Sequence, residues 1–265
     1  MESGTNGKIK FVASLHQRKY REREGCFVAE GIRFAEMAAA SDFPPVLALV
    51  TAETAKKPRA AGVLAHLAAR GCPLYEVSEA LYQKAAATKT PQGLLVVMER
   101  PERTLYDVAQ HAPALWVVLD GVQDPGNAGT ILRTADAAGA TGVIALEEPV
   151  DLFSDKALRA SMGSIFHLPV ATHVSRDMFV RFAARQGIQL FAAAVEPTAR
   201  LHFSVDYRAP SAIVVGQEGS GASKEILEAA QPLYIPMVGK AESLNVSVAA
   251  AVLLYEVLRQ RHYGC

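Results

Sequence analysis

Three stretches of the chain concentrate residue types suited to holding an extended polar ligand. The first, Asp120-Gly121-Val122-Gln123-Asp124-Pro125-Gly126-Asn127-Ala128-Gly129-Thr130-Ile131-Leu132-Arg133, follows the apolar run Leu115–Leu119. The second, Gly216-Gln217-Glu218-Gly219-Ser220-Gly221-Ala222-Ser223, follows Ala212–Val215. The third, Val238-Gly239-Lys240-Ala241-Glu242-Ser243-Leu244-Asn245-Val246-Ser247, follows Leu233–Met237. Glycine lets a backbone approach a ligand closely, Asn, Ser and Glu supply directional polar groups, and arginine brings a fixed cation with several donors. Familiar chemistries fail on spacing. No G-x-G-x-x-G follows the first of these strands, and Gly219-Ser220-Gly221 comes several strands too late for a dinucleotide-binding oxidoreductase. G-x-x-x-x-G-K-[ST] and G-x-S-x-G are absent as well, against a phosphate loop and a serine hydrolase.

The elements that must carry these loops read as α/β. Leu115–Leu119, Val143–Leu146, Leu190–Val195, Ala212–Val215 and Leu233–Met237 are β-like, and helical patterns lie between most of them at Ala128–Ala138, Met178–Gln186 and Lys224–Ala230. Continuous apolar strands alternating with helices indicate a mostly parallel sheet covered on both faces, with ligands beyond the strands' carboxyl ends. Leu244–His262 is the clearest helix, with Val246, Ala249, Ala250, Leu253, Leu254, Val257 and Leu258 on one face. Arg259, Arg261 and His262 suit its final turn. Upstream, Pro44–Val50 and Leu94–Met98 look like strands, and Ile32–Met37 and Ala61–Arg70 like helices, which makes a second, small α/β unit. The expected division is residues 1–100, a linker at 101–113 marked by Pro101 and Pro113, and 114–265.

Composition narrows the setting. The chain has 265 residues, half of them hydrophobic and 20% charged, so it is a globular protein of one large or two ordinary domains. Lys+Arg and Asp+Glu are both 27, so no global charge signals a partner. Locally the balance tilts: Lys8 to Arg23 holds six basic residues and one acid, Glu22. Arg18, Lys19, Arg21 and Arg23 are therefore candidate phosphate contacts, with a solvated helix face as the alternative. Three cysteines without C-x-x-C spacing, Cys26, Cys72 and Cys265, argue against a disulfide framework or a cysteine metal site and fit a reducing cytoplasm. No H-E-x-x-H is present, no apolar stretch approaches the ~18 residues of a membrane helix, and the N-terminus lacks the apolar core of a signal peptide. Neither a metal nor a membrane is expected. Trp116 reads as core, and His167 and His173 as structural.

The three loops in this order resemble the SpoU (TrmH-like) family of RNA ribose 2′-O-methyltransferases. Asn127, Gly129 and Arg133 meet its N-x-G-x-x-x-R motif; Gly216, Glu218 and Gly221 meet G-x-E-x-x-G, with Ser223 opening the next helix. Ile235-Pro236-Met237 and Glu242-Ser243-Leu244-Asn245-Val246-Ser247 meet the third. Phe27–Gly31 and Thr90–Gly93 look like the substrate-binding domain that precedes the catalytic one in many members, so the resemblance spans nearly the whole chain. It implies a cytoplasmic homodimer with a carboxyl-terminal trefoil knot (SPOUT-like), methylating a ribose hydroxyl from S-adenosylmethionine. Ribosomal RNA, most of all the large-subunit species, is the expected substrate. Alternatives are transfer RNA, or a catalytically silent RNA-binding or ribosome-assembly protein of the same fold.

The resemblance also assigns residues. Arg133, Asn127, Glu218, Ser243 and Asn245 take catalytic places, and Gly216, Gly221, Ile235, Met237, Ser243 and Leu244 the cofactor site. Arg133 is a poor base, because a guanidinium stays protonated; stabilising a developing alkoxide and gripping a phosphate suits it better. Asn127 can also cap its helix, Glu218 can orient Arg133, Ser243 and Asn245 can cap the last helix, and Ile235 and Leu244 can serve as core. Arg159–Ser164 stands where the family has another small-residue turn near the substrate.

Overall fold

The computed structural model describes residues 2–109, 113–147, 149–196 and 199–264. The chain divides by its contacts into two units, residues 1–101 with 153–166, and residues 102–152 with 167–265.

In the first unit α1 (Glu2–Ser14) and α2 (Arg18–Glu24) precede β1 (Cys26–Glu30). There follow α3 (Ile32–Ala40), β2 (Pro45–Thr51), α4 (Ala52–Ala55), α5 (Pro58–Ala69), β3 (Leu74–Val77), α6 (Glu79–Ala85) and β4 (Leu94–Glu99). The strands order as β1-β4-β2-β3, with β4 antiparallel to both neighbours and β3 parallel to β2. Strand alternation sorts the core. Val28, Leu47, Leu49, Leu95 and Val97 meet Ile9 and Val12 of α1, Leu15 in the turn that follows it, and Tyr82 of α6. Phe27 meets Phe43, Phe153 and Phe166 in an aromatic cluster. His16, two residues past the end of α1, reaches the 153–166 segment, with Nδ1 3.0 Å from Asp155 Oδ2 and Nε2 2.7 Å from the Ala85 carbonyl. Both ring nitrogens face acceptors, an arrangement that favours the protonated ring. Burial pulls its pKa down, but the Asp155 carboxylate and the Ala85 carbonyl outweigh that and raise it.

The second unit opens with α7 (Leu105–Val108) inside the expected linker; Leu105 and Val108 are buried in this unit's core. Residues 110–112 of that stretch lie outside the described residues. Then come β5 (Leu115–Asp120), α8 (Pro125–Ala137) and β6 (Gly142–Leu146). The next helix, α9 (Asp155–Ser161), belongs by its contacts to the first unit. There Met162 caps it in the left-handed conformation, and a Cβ on Gly163 would overlap Met37 of α3. The unit continues with β7 (Val170–Val174), α10 (Arg176–Arg185), β8 (Gln189–Ala193), β9 (Arg200–Leu201), β10 (Ser211–Gly216), α11 (Lys224–Ala229), β11 (Gln231–Tyr234) and α12 (Val246–Leu258).

Its seven strands order as β7-β6-β5-β10-β8-β11-β9, every pairing parallel. All six residues of β5 are buried, as a central parallel strand requires. Trp116 and Val118 face Phe179 and Phe182 of α10 and Ile226 of α11, and the Trp116 and Phe182 rings stack at 6.0 Å. α8 and α12 pack together, with α12 also on β10. From β5 the chain winds outward through β6 and β7, then crosses to place β8 on the other side and returns to insert β10 between β5 and β8. That reversal makes the carboxyl ends of β5 and β10 the crevice of the sheet. α12 differs from the expected one-faced helix: Val248 and Tyr255 are about half exposed, so apolar residues run around it. Its last turn widens into the π-helical segment Arg259–Tyr263, where the Arg261 guanidinium donates to the carbonyls of Tyr207, Ala114 and Ala209 instead of only complementing a helix dipole.

Candidate active site

Each of the three loops sits at a carboxyl end in the crevice. Asp124 precedes Pro125 at the first position of α8, and its carboxylate accepts from Asn127 N at 2.9 Å. The cap of this helix is thus Asp124. Asn127 lies inside the first turn, which frees its side chain. An Asp followed by Pro at the first helical position was the signal for that cap.

The second loop depends on Gly216. A Cβ there would overlap the backbone of Gly221 and Ala222, so the glycine is required by the loop's own closure rather than by a ligand. The loop folds back through reciprocal 2.9 Å bonds between Gln217 and Gly221, the latter at φ +74°. This turn presents Glu218 to the first loop. Its Oε1 accepts from Asn127 Nδ2 at 3.0 Å, and its two oxygens take the amides of Gln123 at 3.3 Å and Asp124 at 3.4 Å. Burial pushes the Glu218 carboxyl up, but the bonds from Asn127, from its own backbone, and from Gln123 and Asp124 prevail and hold it below the usual range. It is an anion at neutral pH. Its partner is Asn127; the expected pairing with Arg133 is not formed.

The third loop begins where β11 ends at Tyr234, earlier than the Met237 expected from hydropathy, because Ile235-Pro236-Met237 turns away from the ladder. At its far end Asn245 caps α12, its Oδ1 accepting from Ser247 N at 2.9 Å and Ser247 Oγ at 2.6 Å. Asn245 Nδ2 donates to Asn127 Oδ1 at 3.1 Å. A continuous relay, Glu218–Asn127–Asn245–Ser247, therefore stitches the three loops together.

Between the second and third loops lies a cleft of about 620 Å³ lined by Gly216, Glu218, Gly221, Ile235, Met237, Ser243, Leu244 and Asn245 among others. Its size and mixed lining suit a small organic ligand with polar ends. Apolar Ile235, Met237 and Leu244 can pack on a flat ring, and the 216–221 backbone offers amide groups. S-adenosylmethionine fits this donor set. Arg133 stands on the solvent face of α8, one turn beyond Thr130, away from the cleft wall; among the described residues it makes no hydrogen bond or ion pair. Ser243 is likewise exposed.

The basic arm is only partly available. Arg21 is 5% exposed and donates to the Leu15 carbonyl, which sets it apart from the exposed Arg18, Lys19 and Arg23 of the same run. Arg18 pairs with Glu22, and Arg23 pairs with Glu24 and lies over Tyr20, as does Lys19. Replacing Arg18, Lys19 and Arg23 with Gln should lower the salt slope of RNA binding by about 0.7–0.9 for each phosphate no longer neutralised. Arg21→Gln instead should destabilise the fold by about 1–3 kcal/mol, as a buried carbonyl loses its donor. An unchanged slope in the triple variant makes the arm a solvated surface.

His167 Nδ1 lies 2.8 Å from Asp136 Oδ2, a structural contact. Burial pushes the Cys72 thiol up to about 11, leaving it an unreactive thiol. Among the described residues no three potential metal ligands converge, and no helix is long and apolar enough to cross a membrane.

A parallel sheet with three stitched loops over a crevice defines a class of α/β proteins that bind a small cofactor at a strand-order reversal. Comparison with known proteins specifies it. Residues 114–255 match the SpoU rRNA Methylase family, and residues 6–96 match the MRM3-like substrate binding domain. The chain is 36% identical over 261 residues to the 23S rRNA (guanosine(2553)-2'-O)-methyltransferase RlmP of Bacillus subtilis, covering 97% of this chain and 98% of that protein. Among solved structures it is similar to an AdoMet-bound rRNA methyltransferase from Sinorhizobium meliloti, with TM-score 0.86, 32% identity, and 98% and 97% of the two chains covered. It is also similar to the SpoU methyltransferase AviRb from Streptomyces viridochromogenes in complex with AdoMet, with TM-score 0.89, 28% identity and 97% and 99% covered. The chain belongs to the SpoU rRNA methylase family.

Proposed function

We propose that this protein methylates a ribose 2′-hydroxyl of large-subunit ribosomal RNA, using S-adenosylmethionine, in the cytoplasm. The observation that carries the reading is the Glu218–Asn127–Asn245 relay beside the cleft, which joins all three motif loops at one crevice. Full-length similarity to an enzyme named for 23S rRNA favours that substrate over transfer RNA.

The cofactor, when bound, supplies a methyl group on a sulfonium centre. Gly216, Gly221, Ile235, Met237, Ser243 and Leu244 would hold it, with the apolar three available to a flat ring and the loop backbone to polar groups. Asn127 and Asn245 keep the loops in register, since most of their amide groups are already spent on one another, Glu218 and Ser247. Glu218 provides the fixed negative charge that orients them. Arg133 grips the phosphate beside the target ribose and lowers the cost of negative charge on its 2′-oxygen, for which a bidentate cation is suited. Proton loss from the hydroxyl is thereby eased without Arg133 itself taking the proton.

The active form is a homodimer, in which the exposed apolar side of α12, at Val248 and Tyr255, is covered by a second copy, because a helix apolar all round is stable only when enclosed. The trefoil knot belongs to the same reading, with the second and third loops wrapped around the cofactor.

Two measurements test this. Calorimetry with S-adenosylmethionine should show one site per chain, and ribose-methylation mapping of total RNA with and without the gene should lose one large-subunit position. A missing transfer RNA position overturns the substrate. RNA binding without cofactor binding identifies a silent assembly protein.

A further inference from the structure

Asp120 lies just before the first motif and takes no part in it, yet it sits at the root of two of the loops. It ends β5 in register with Gly216 of β10 and points, like Trp116 and Val118 before it, to the side covered by α10 and α11. Its side chain is fully buried. One oxygen accepts from Arg176 Nε at the start of α10, at 2.8 Å; the other accepts from Ser223 N, the residue before α11, at 2.6 Å. Arg176 continues to Glu147 Oε2 at 2.8 Å. A buried carboxylate is tolerated only when paired and hydrogen-bonded, and both conditions are met here. The 216–223 loop is thus fastened at its entry by the β-ladder, across its middle by Gln217 and Gly221, and at its exit by Asp120. Three residues on from Asp120, the same chain offers amides to Glu218 at the loop's tip.

We propose that Asp120, charge-balanced by Arg176, is a positioning residue that holds the 216–223 loop in its cofactor-binding form. The inference rests on the reading that this loop binds S-adenosylmethionine. Asp120 is not itself among the cleft-lining residues and makes no hydrogen bond to the relay, so its loss raises the cofactor's dissociation constant and leaves turnover at saturating cofactor nearly intact. Arg176 is needed because a lone buried carboxylate would draw in water and release Ser223.

Calorimetry and steady-state kinetics on the full-length protein test this, with thermal melts confirming folding. Asp120→Ala should weaken S-adenosylmethionine binding tenfold or more, with kcat within about threefold of wild type. Asp120→Asn should also weaken binding, because an amide N–H₂ then meets the guanidinium. The double variant Asp120→Asn with Arg176→Met keeps an acceptor for Ser223 N and leaves no buried unpaired charge, since the Glu147 carboxylate it releases is half exposed, so its affinity should return to within about threefold of wild type. Ser223→Ala is the control: the hydroxyl makes no hydrogen bond, and only the backbone amide is held. Unchanged affinity in a folded Asp120→Ala variant overturns the proposal, as does a fall in kcat at unchanged affinity. Should Asp120→Ala not fold, the contrast between Asp120→Asn and the double variant decides, and equal affinity in the two also overturns it. Absence of binding by the wild-type protein would instead refute the assigned cofactor.

Discussion

Arg133→Ala and Arg133→Lys should both lose about 100-fold or more in kcat/KM, about 2.7 kcal/mol of transition-state stabilisation. The structure isolates this side chain from other duties. It is exposed on α8 and makes no bond among the described residues, so its removal should cost the fold about 0.5 kcal/mol or less. Cofactor affinity should be unchanged, because Arg133 lies off the cleft wall. The two variants separate charge from shape. A lysine keeps the charge but lacks the planar fork that grips a phosphate with two donors. Near wild-type turnover with Lys would show that a point charge suffices. Full turnover with Ala would remove Arg133 from the mechanism altogether.

Gly216→Val should abolish measurable S-adenosylmethionine binding and lower the melting temperature as well. The branched side chain would be driven into the backbone of Gly221 and Ala222, so the loop opens at its first residue. Such a clash belongs with the severe class of substitutions, above about 4 kcal/mol, unless the loop moves away. Loop displacement breaks the Gln217–Gly221 closing bonds and pulls Glu218 off Asn127, so affinity is lost by either route. Gly219→Ala is the matched control: a Cβ there meets nothing within 4 Å, and binding should persist. A Gly216→Val protein that melts and binds like wild type would mean that the loop closes in some other way.

The motif residues were legible because their chemistry is local. Asn127, Glu218 and Asn245 stood in polar loops after apolar runs, and the resemblance to the SpoU family singled them out there. Their connection to one another was not legible, since Glu218 and Asn127 lie 91 positions apart and nothing in either neighbourhood encodes the pair. The same gap explains the misplaced roles. Asn127 has the right type for a helix cap, but Asp124 three residues earlier has it too, and only the position of Pro125 as the first helical residue decides between them. Arg21 looked like its neighbours in a basic run; whether its guanidinium meets water or the Leu15 carbonyl depends on how α2 turns after α1.

By itself, then, the sequence determined five of the seven strands of the carboxyl-terminal unit, missing β7 and the two-residue β9, together with the parallel character of its sheet and the three loops that carry polar chemistry. Apolar runs report that a strand is buried on both faces, and that needs no knowledge of its neighbours. Strand order was decided only in three dimensions. Any two parallel strands offer each other the same backbone hydrogen bonds, so nothing in Ala212–Val215 specifies insertion between β5 and β8. Packing of α12 on β10 and α8, and the burial of Asp120 against Arg176 and Ser223, are long-range terms that select that order. The site follows from it, because only with β10 beside β5 do Gly216 and Asp120 stand in register and Glu218 reach Asn127.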